Sequence, residues 1–148
     1  MKKIFLLFTL GLVLFACRTY SDDDIHFFDS EIRKYMKKKN LNFEKSPSGM
    51  YYKVLDEGEG EYIKFTDHVS FTYKGYFMNG EVFDQQKKPV EYDVRQLIGA
   101  WKEAMVMLKP GGKMHLIAPP QLGYGDRDLD DIPPNSILIF EMEVVEVK

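Results

Sequence analysis

The chain is poor in the residue types on which most catalytic and metal chemistry draws. It has one cysteine, Cys17, in 148 residues, which excludes an internal disulfide. Its three histidines, His26, His68 and His115, are scattered without ligand spacing. With one cysteine they make no Cys/His zinc set, and His68 and His115 read as surface or hydrogen-bonded strand residues. No arrangement of serine or cysteine with histidine and a carboxylate suggests a triad or dyad. Positive charge is not in excess: Lys and Arg number 20 against 23 Asp and Glu, for a net charge of −3. The electrostatic footprint of a nucleic-acid binder is therefore missing. No apolar run reaches the roughly 20 residues needed to cross a bilayer, and no internal repeat or low-complexity tract is visible. What the chain does have is 45% hydrophobic residues, enough for one packed domain with a tail. Its 14% of aromatics lean on Tyr and Phe, with Trp101 the single tryptophan.

The first residues read as a leader. Lys2 and Lys3 give a positive start, Ile4 to Phe15 form an apolar run of signal-peptide length, and Leu14-Phe15-Ala16-Cys17 ends it. That ending resembles the lipobox of bacterial lipoproteins, in which the cysteine is acylated and begins the mature chain. The alternatives are an ordinary secretion signal with a stray cysteine, or an uncleaved anchor. The expected division is a signal peptide at 1–16, an acidic tether at 17–24, a helical segment at 25–45 and the main domain at 46–148. The chain is expected in the cell envelope, as a monomer held to the membrane by lipid on Cys17, on the periplasmic side or at the cell surface. Ser21 to Asp24 resemble an export signal of surface lipoproteins, and they equally suit the cap and the positive end of a following helix.

From Ile25 to Lys39, Ile25, Phe28, Ile32, Tyr35 and Met36 recur at helical spacing, Lys37 to Lys39 suit the helix C-terminus, and Asn40 is a stop signal. The stripe predicts a helix packed on its own domain, with a partner or anionic-lipid surface as the alternative. The main domain opens with a strand at Met50 to Leu55. Val69 to Gln85 then has the alternation of a hairpin, Asn79-Gly80 supplying the turn. Tyr73, Phe83 and Asp84 thus come from neighbouring strands, and together they suit one concave apolar wall with a polar handle. Phe71, on the same strand, reads as core. Gln85 to Pro89 read as a polar bulge or loop, and Val90 and Tyr92 alternate after it. The spacing predicts one helix over Val94 to Lys109, ended by Pro110-Gly111-Gly112. A strand at Lys113 to Ala118, a long loop, and a strand at Ile137 to Lys148 complete an antiparallel α+β domain. Asp126 to Asp131 lack the glycine and terminal glutamate of an EF-hand loop and read as a solvated loop.

VSFTYKGYFMNGEVFD, LIGAWKEAM, LKPGGKM, GYGD and IPPNSILIFEMEVVEV stand in this order and at matching distances. Together they resemble the FK506-binding-protein class of peptidyl-prolyl cis-trans isomerases, over about Met50 to Lys148. Leader and domain together are similar to the lipoprotein isomerases associated with gliding motility, although no residue bears on motility. The resemblance implies a twisted antiparallel sheet wrapped around one helix, preceded here by the N-terminal helix. It implies an enzyme that turns X–Pro bonds in exported proteins, with proline-containing polypeptides as partners and with no cofactor or metal. Tyr73, Phe83, Asp84, Trp101, Tyr124 and Phe140 take the catalytic positions: Trp101 the pocket floor, Tyr73, Phe83 and Phe140 the walls, and Tyr124 the hydroxyl donor to the substrate carbonyl. Val90, Leu97, Ile98 and Ile132 take the remaining substrate contacts. Val90 stands where an aromatic is common in the family, and Ala100 where glycine is usual. A second functional class uses the same pocket to hold proline segments with little turnover, as a chaperone or assembly factor, and Val90 is the feature that favours it.

Overall fold

The computed structural model describes residues 20–148, so the leader and Cys17 lie outside the described residues. The elements run α1 (Asp22–Lys39), β1 (Glu44–Lys45), β2 (Tyr51–Asp56), β3 (His68–Phe77), β4 (Val82–Asp93), α2 (Gly99–Met105), β5 (Lys113–Ala118) and β6 (Leu138–Val147). The strands form one antiparallel sheet in the order β1-β2-β5-β6-β3-β4.

Alternation along β6 shows how the sheet divides the core. Leu138, Phe140, Met142 and Val144 face inward to α2 with Phe71, Met114 and Leu116, all nearly or completely buried. From the intervening positions, Tyr51, Ile117, Ile139 and Tyr76 form one row across β2, β5, β6 and β3 on the outer face. That row receives Phe28 and Ile32 of α1. Period-2 side chains allow one sheet to build two cores, and each fully buried side chain contributes about 1.5–3 kcal/mol. The N-terminal helix therefore packs on its own domain, although Ile25 and Phe27 remain exposed.

The helix starts three residues earlier than the periodicity places it. Ser21 Oγ accepts from the Asp24 amide at 3.2 Å, Asp24 Oδ2 accepts from the Ser21 amide at 3.0 Å, and Asp22 to Asp24 occupy the first turn. Part of the expected tether is thus a capping box. Asn40, at φ 52°, ends the helix as expected.

Two elements depart further from expectation. The helix over Val94 to Lys109 is not continuous: a 3-10 turn at Val94–Gln96 ends in extended Leu97 and Ile98, and α2 has only 7 residues. The Asp93 carboxylate caps this 3-10 turn by accepting from the Arg95 amide at 2.9 Å. At the start of α2, a Cβ on Gly99 would lie 3.3 Å from the Leu122 carbonyl oxygen. Leu97 and Leu108 are buried from irregular backbone, which helical periodicity cannot distinguish from a helix face. In contrast, β4 is longer than expected and continues through Gln85 to Pro89, where of the expected bulge or loop it is the bulge that forms. Phe71 pairs with Val90 and Tyr73 with Gln86, so Lys87, Lys88 and Pro89 bulge from an edge strand. Proline, which lacks an amide proton, is tolerated there. The short strand β1, which the sequence reading places in the helical segment, pairs with β2.

Candidate functional site

A second irregularity in β4 builds one wall of the site. Gly75 pairs with Asp84 and Tyr76 with Val82, leaving Phe83 as the extra residue of a bulge. A bulge re-aims side chains that strict alternation would send to opposite faces. Phe83 and Asp84 consequently line the same cleft, together with Tyr124, Leu129, Asp130, Asp131 and Ile132, in a volume of about 290 Å³. The bulge needs a glycine opposite it. A Cβ on Gly75 would lie 2.6 Å from Phe83 Cζ and 2.9 Å from Phe140 Cε1, so the Phe83 ring lies directly on bare backbone.

Behind the cleft the aromatic rings form a chain. Phe83 meets Phe140 edge-on at 5.7 Å, Phe140 meets Trp101 at 5.0 Å, and Trp101 meets Tyr73 at 4.7 Å. Phe71 closes the chain from below, 5.2 Å from Trp101, and is fully buried core as expected. Edge-to-face pairs of this kind add about 0.5–1.5 kcal/mol each beyond burial. The Trp101 indole N–H is buried without a hydrogen-bond partner among the described residues.

Polar groups sit at the rim. The Tyr73 hydroxyl donates to Asp84 Oδ2 at 2.5 Å. Burial, and then that bond, push the Tyr73 hydroxyl far above its ordinary pKa. Tyr124 lies between Gly123 and Gly125 in the β5–β6 loop, where the Gly125 amide donates to the Pro120 carbonyl at 2.9 Å. Its hydroxyl is also pushed up, by burial first and then by the nearby charge of Asp84. Both phenols therefore remain protonated at neutral pH, and Tyr124 is an available donor facing the cleft.

Tyr73, Phe83, Trp101, Tyr124 and Phe140 are thus brought together, with Leu97, Ile98 and Ile132 in the same core cluster. Val90 is half-buried opposite Phe71, and it belongs neither to the cleft lining nor to that cluster. Two residues with a place near the site escaped the sequence reading. One is Gly75, whose signal was a glycine inside a strand pattern. The other is Tyr92, whose ring lies 6.1 Å from Phe71 and whose hydroxyl raises the pKa of both Tyr73 and Tyr124. A larger hollow of about 480 Å³ involves the outer face, with Thr72, Lys74, Lys113, His115, Glu141 and Glu143 in its lining. Lys113 pairs there with Glu143 at 3.3 Å, and His115 Nε2 stands 3.1 Å from Glu141. Of the site's aromatic rings only Tyr73 reaches the lining of this hollow, whereas the smaller cleft brings Phe83, Tyr124 and the Asp84 carboxylate together, so the smaller cleft is the better candidate.

Fold and site define a class: a single antiparallel sheet packed on one short helix, with a cleft walled by Phe83 and Tyr124 and backed by the ring chain through Phe140 and Trp101. The family model for FKBP-type peptidyl-prolyl cis-trans isomerases matches residues 59–145, more than half of the chain, and the protein belongs to that family. It is 41% identical over 113 residues to a probable FKBP-type peptidyl-prolyl cis-trans isomerase of Haemophilus influenzae, covering 74% of this chain and 47% of that one. It is 36% identical over 118 residues to the FKBP-type isomerase FkpA of Escherichia coli, covering 78% of this chain and 43% of FkpA. The chain spans about half the length of these curated relatives. The crystal structure of E. coli FkpA superposes with a TM-score of 0.74 at 33% identity, over 85% of this chain and 62% of that one. The crystal structure of AtFKBP13 gives a TM-score of 0.66 at 30% identity, over 73% of this chain and all of the other.

Proposed function

We propose that this protein accelerates cis-trans rotation about X–Pro bonds, and that it does so by solvating the planar form of the bond poorly relative to the twisted one, without covalent chemistry or proton transfer. Amide resonance imposes a barrier of about 18–20 kcal/mol. The planar amide carries more charge separation than the twisted one. An apolar, water-poor pocket therefore disfavours the ground state relative to the transition state, and only such a difference lowers a barrier. The observation that carries this reading is the ring chain Phe83–Phe140–Trp101–Tyr73, which ends at a cleft whose free donor is the Tyr124 hydroxyl.

In this mechanism the proline ring rests on Trp101 between Tyr73, Phe83 and Phe140, with Leu97, Ile98 and Ile132 completing the apolar contact. Tyr124 donates to the substrate carbonyl. Asp84 accepts from Tyr73 and thereby orients it, as a positioner and not as a base. Val90, on the edge strand, contributes little. The substrates are proline-containing segments of exported proteins, and the enzyme works as a monomer in the cell envelope, tethered by acylation of Cys17. Supporting the tether is the apolar run that ends at the only cysteine. If the tether is right, Cys17→Ser shifts the protein out of the detergent phase in phase separation; unchanged partitioning contradicts it.

A protease-coupled isomerisation assay on proline tetrapeptides tests the function. Rate enhancement that falls on Phe83→Ala supports it. A protein that binds such peptides, with Trp101 fluorescence as the reporter, but gives no enhancement is a proline-holding chaperone instead.

A further inference from the structure

Tyr20 and Asn135 link the outer-face core to the loop that carries Tyr124. The Tyr20 ring meets Phe28 of α1 edge-on at 5.5 Å, within the cluster beneath that helix. Its hydroxyl donates to Asn135 Oδ1 at 2.7 Å. Asn135 lies on the returning limb of the β5–β6 loop, and its amide donates to the Gly125 carbonyl at 2.8 Å, closing the neck of that loop. Gly125 immediately follows Tyr124. Both neck residues are left-handed, Gly125 at φ 66° and Asn135 at φ 60°. Asparagine is among the few non-glycine residues that adopt this conformation readily. A Cβ on Gly125 would lie 3.8 Å from the Tyr20 hydroxyl oxygen, so that oxygen sits against the neck itself.

Beyond the neck the loop has little regular structure. Between Gly123 and Ser136 the one β-pairing is an isolated bridge of Leu129 with Ile132, and residues 126–131 are exposed. The position of the Tyr124 hydroxyl therefore depends on how firmly the neck is held.

We propose that Tyr20 is a positioning residue for the cleft: by holding Asn135 it fixes the neck at Gly125, and with it the Tyr124 hydroxyl, so that the segment leading into α1 sets how tightly a proline peptide is gripped. This rests on the isomerase function proposed above, and a direct measurement on the neck separates the two.

The full chain is compared with Tyr20→Phe, which keeps the ring on Phe28 and deletes the hydroxyl, and with Asn135→Gly, which keeps the left-handed backbone and deletes the acceptor. Amide hydrogen exchange at Gly125 and Asn135 is expected to speed up roughly three- to tenfold in both variants, the size of one net hydrogen bond. The amides of Leu116 and Phe140 in the sheet should not change. Unaltered neck exchange overturns the proposal whether or not the protein turns over peptide. Affinity for a proline tetrapeptide, read from Trp101 fluorescence, should weaken about threefold in Tyr20→Phe and show no further loss when Tyr124→Phe is already present. An equal loss in the Tyr124→Phe background, or no loss in either, overturns transmission through Tyr124. A wild-type protein that neither binds nor isomerises contradicts the proposed function, and neck exchange still decides whether Tyr20 holds the loop.

Discussion

Tyr51 and Tyr73 each donate a hydroxyl to an aspartate, one on the outer face of the sheet and one beside the cleft. Asp29, the outer partner at 2.7 Å, is enclosed by cations: Lys45 Nζ stands 2.6 Å away and Arg33 Nε 2.8 Å away. Asp84 makes no ion pair among the described residues and is exposed at the rim. A carboxylate neutralised on every side is a fastener that locks α1 to the sheet. A carboxylate left open beside an aromatic cleft has its charge and its second oxygen free to face a bound peptide. One sheet thus carries a closed core and an open one, and the same pair of residue types changes role with what surrounds it.

If the two faces communicate only through the Tyr20–Asn135 contact, stability and activity should largely separate by mutation at residues away from it. The largest effect is expected at Ile32, fully buried under α1: Ile32→Ala should cost about 2–5 kcal/mol in chemical denaturation. At low temperature its kcat/KM should stay within about twofold of wild type, as for distant sites without shared partners. A proportionate loss of both would mean that the outer core also shapes the cleft. Phe83→Ala should do the reverse, lowering kcat/KM about tenfold or more, a transition-state loss of about 1.4 kcal/mol or greater. Circular dichroism should show its sheet intact.

The outer aspartate sharpens the contrast through its response to acid. Burial works to raise the Asp29 pKa, but the hydrogen bonds from Lys45 and Tyr51 outweigh it and leave the carboxyl below its usual range. A carboxylate whose folded pKa is depressed adds stability above its unfolded value and loses it as pH falls through the folded one. Asp29 should therefore hold the melting temperature steady from neutral pH down to about 4 and contribute to its fall below that. Asp29→Asn should lower the neutral-pH melting temperature by a few degrees and flatten the acid limb. An acid limb as steep in Asp29→Asn as in wild type would mean that Asp29 does not fasten the outer face.

Much of the domain was legible because alternation and turn chemistry are local. The hairpin at Asn79-Gly80, the paired faces of β6, the strand at Lys113 to Ala118 and the helix stop at Asn40 all follow from neighbouring residues. The site was legible only as residue types in an order. That Phe83 is the extra residue of a bulge depends on the register with β3, and Gly75 matters because Phe83 lies on it. The short α2 was hidden because Leu97 and Leu108 are buried from irregular backbone at near-helical spacing. The contact between Tyr20 and Asn135 spans 115 residues and leaves no local trace.

The central claim is that an apolar pocket, and no proton transfer, lowers the rotation barrier, and the pH dependence of kcat/KM tests it most directly. With Tyr73 and Tyr124 both held protonated, the profile should be flat from about pH 6 to 8 for wild type. Asp84→Asn should lower it by less than Phe83→Ala without changing its shape. A bell-shaped wild-type profile, together with complete loss in Asp84→Asn, would contradict the mechanism even if isomerase activity is real.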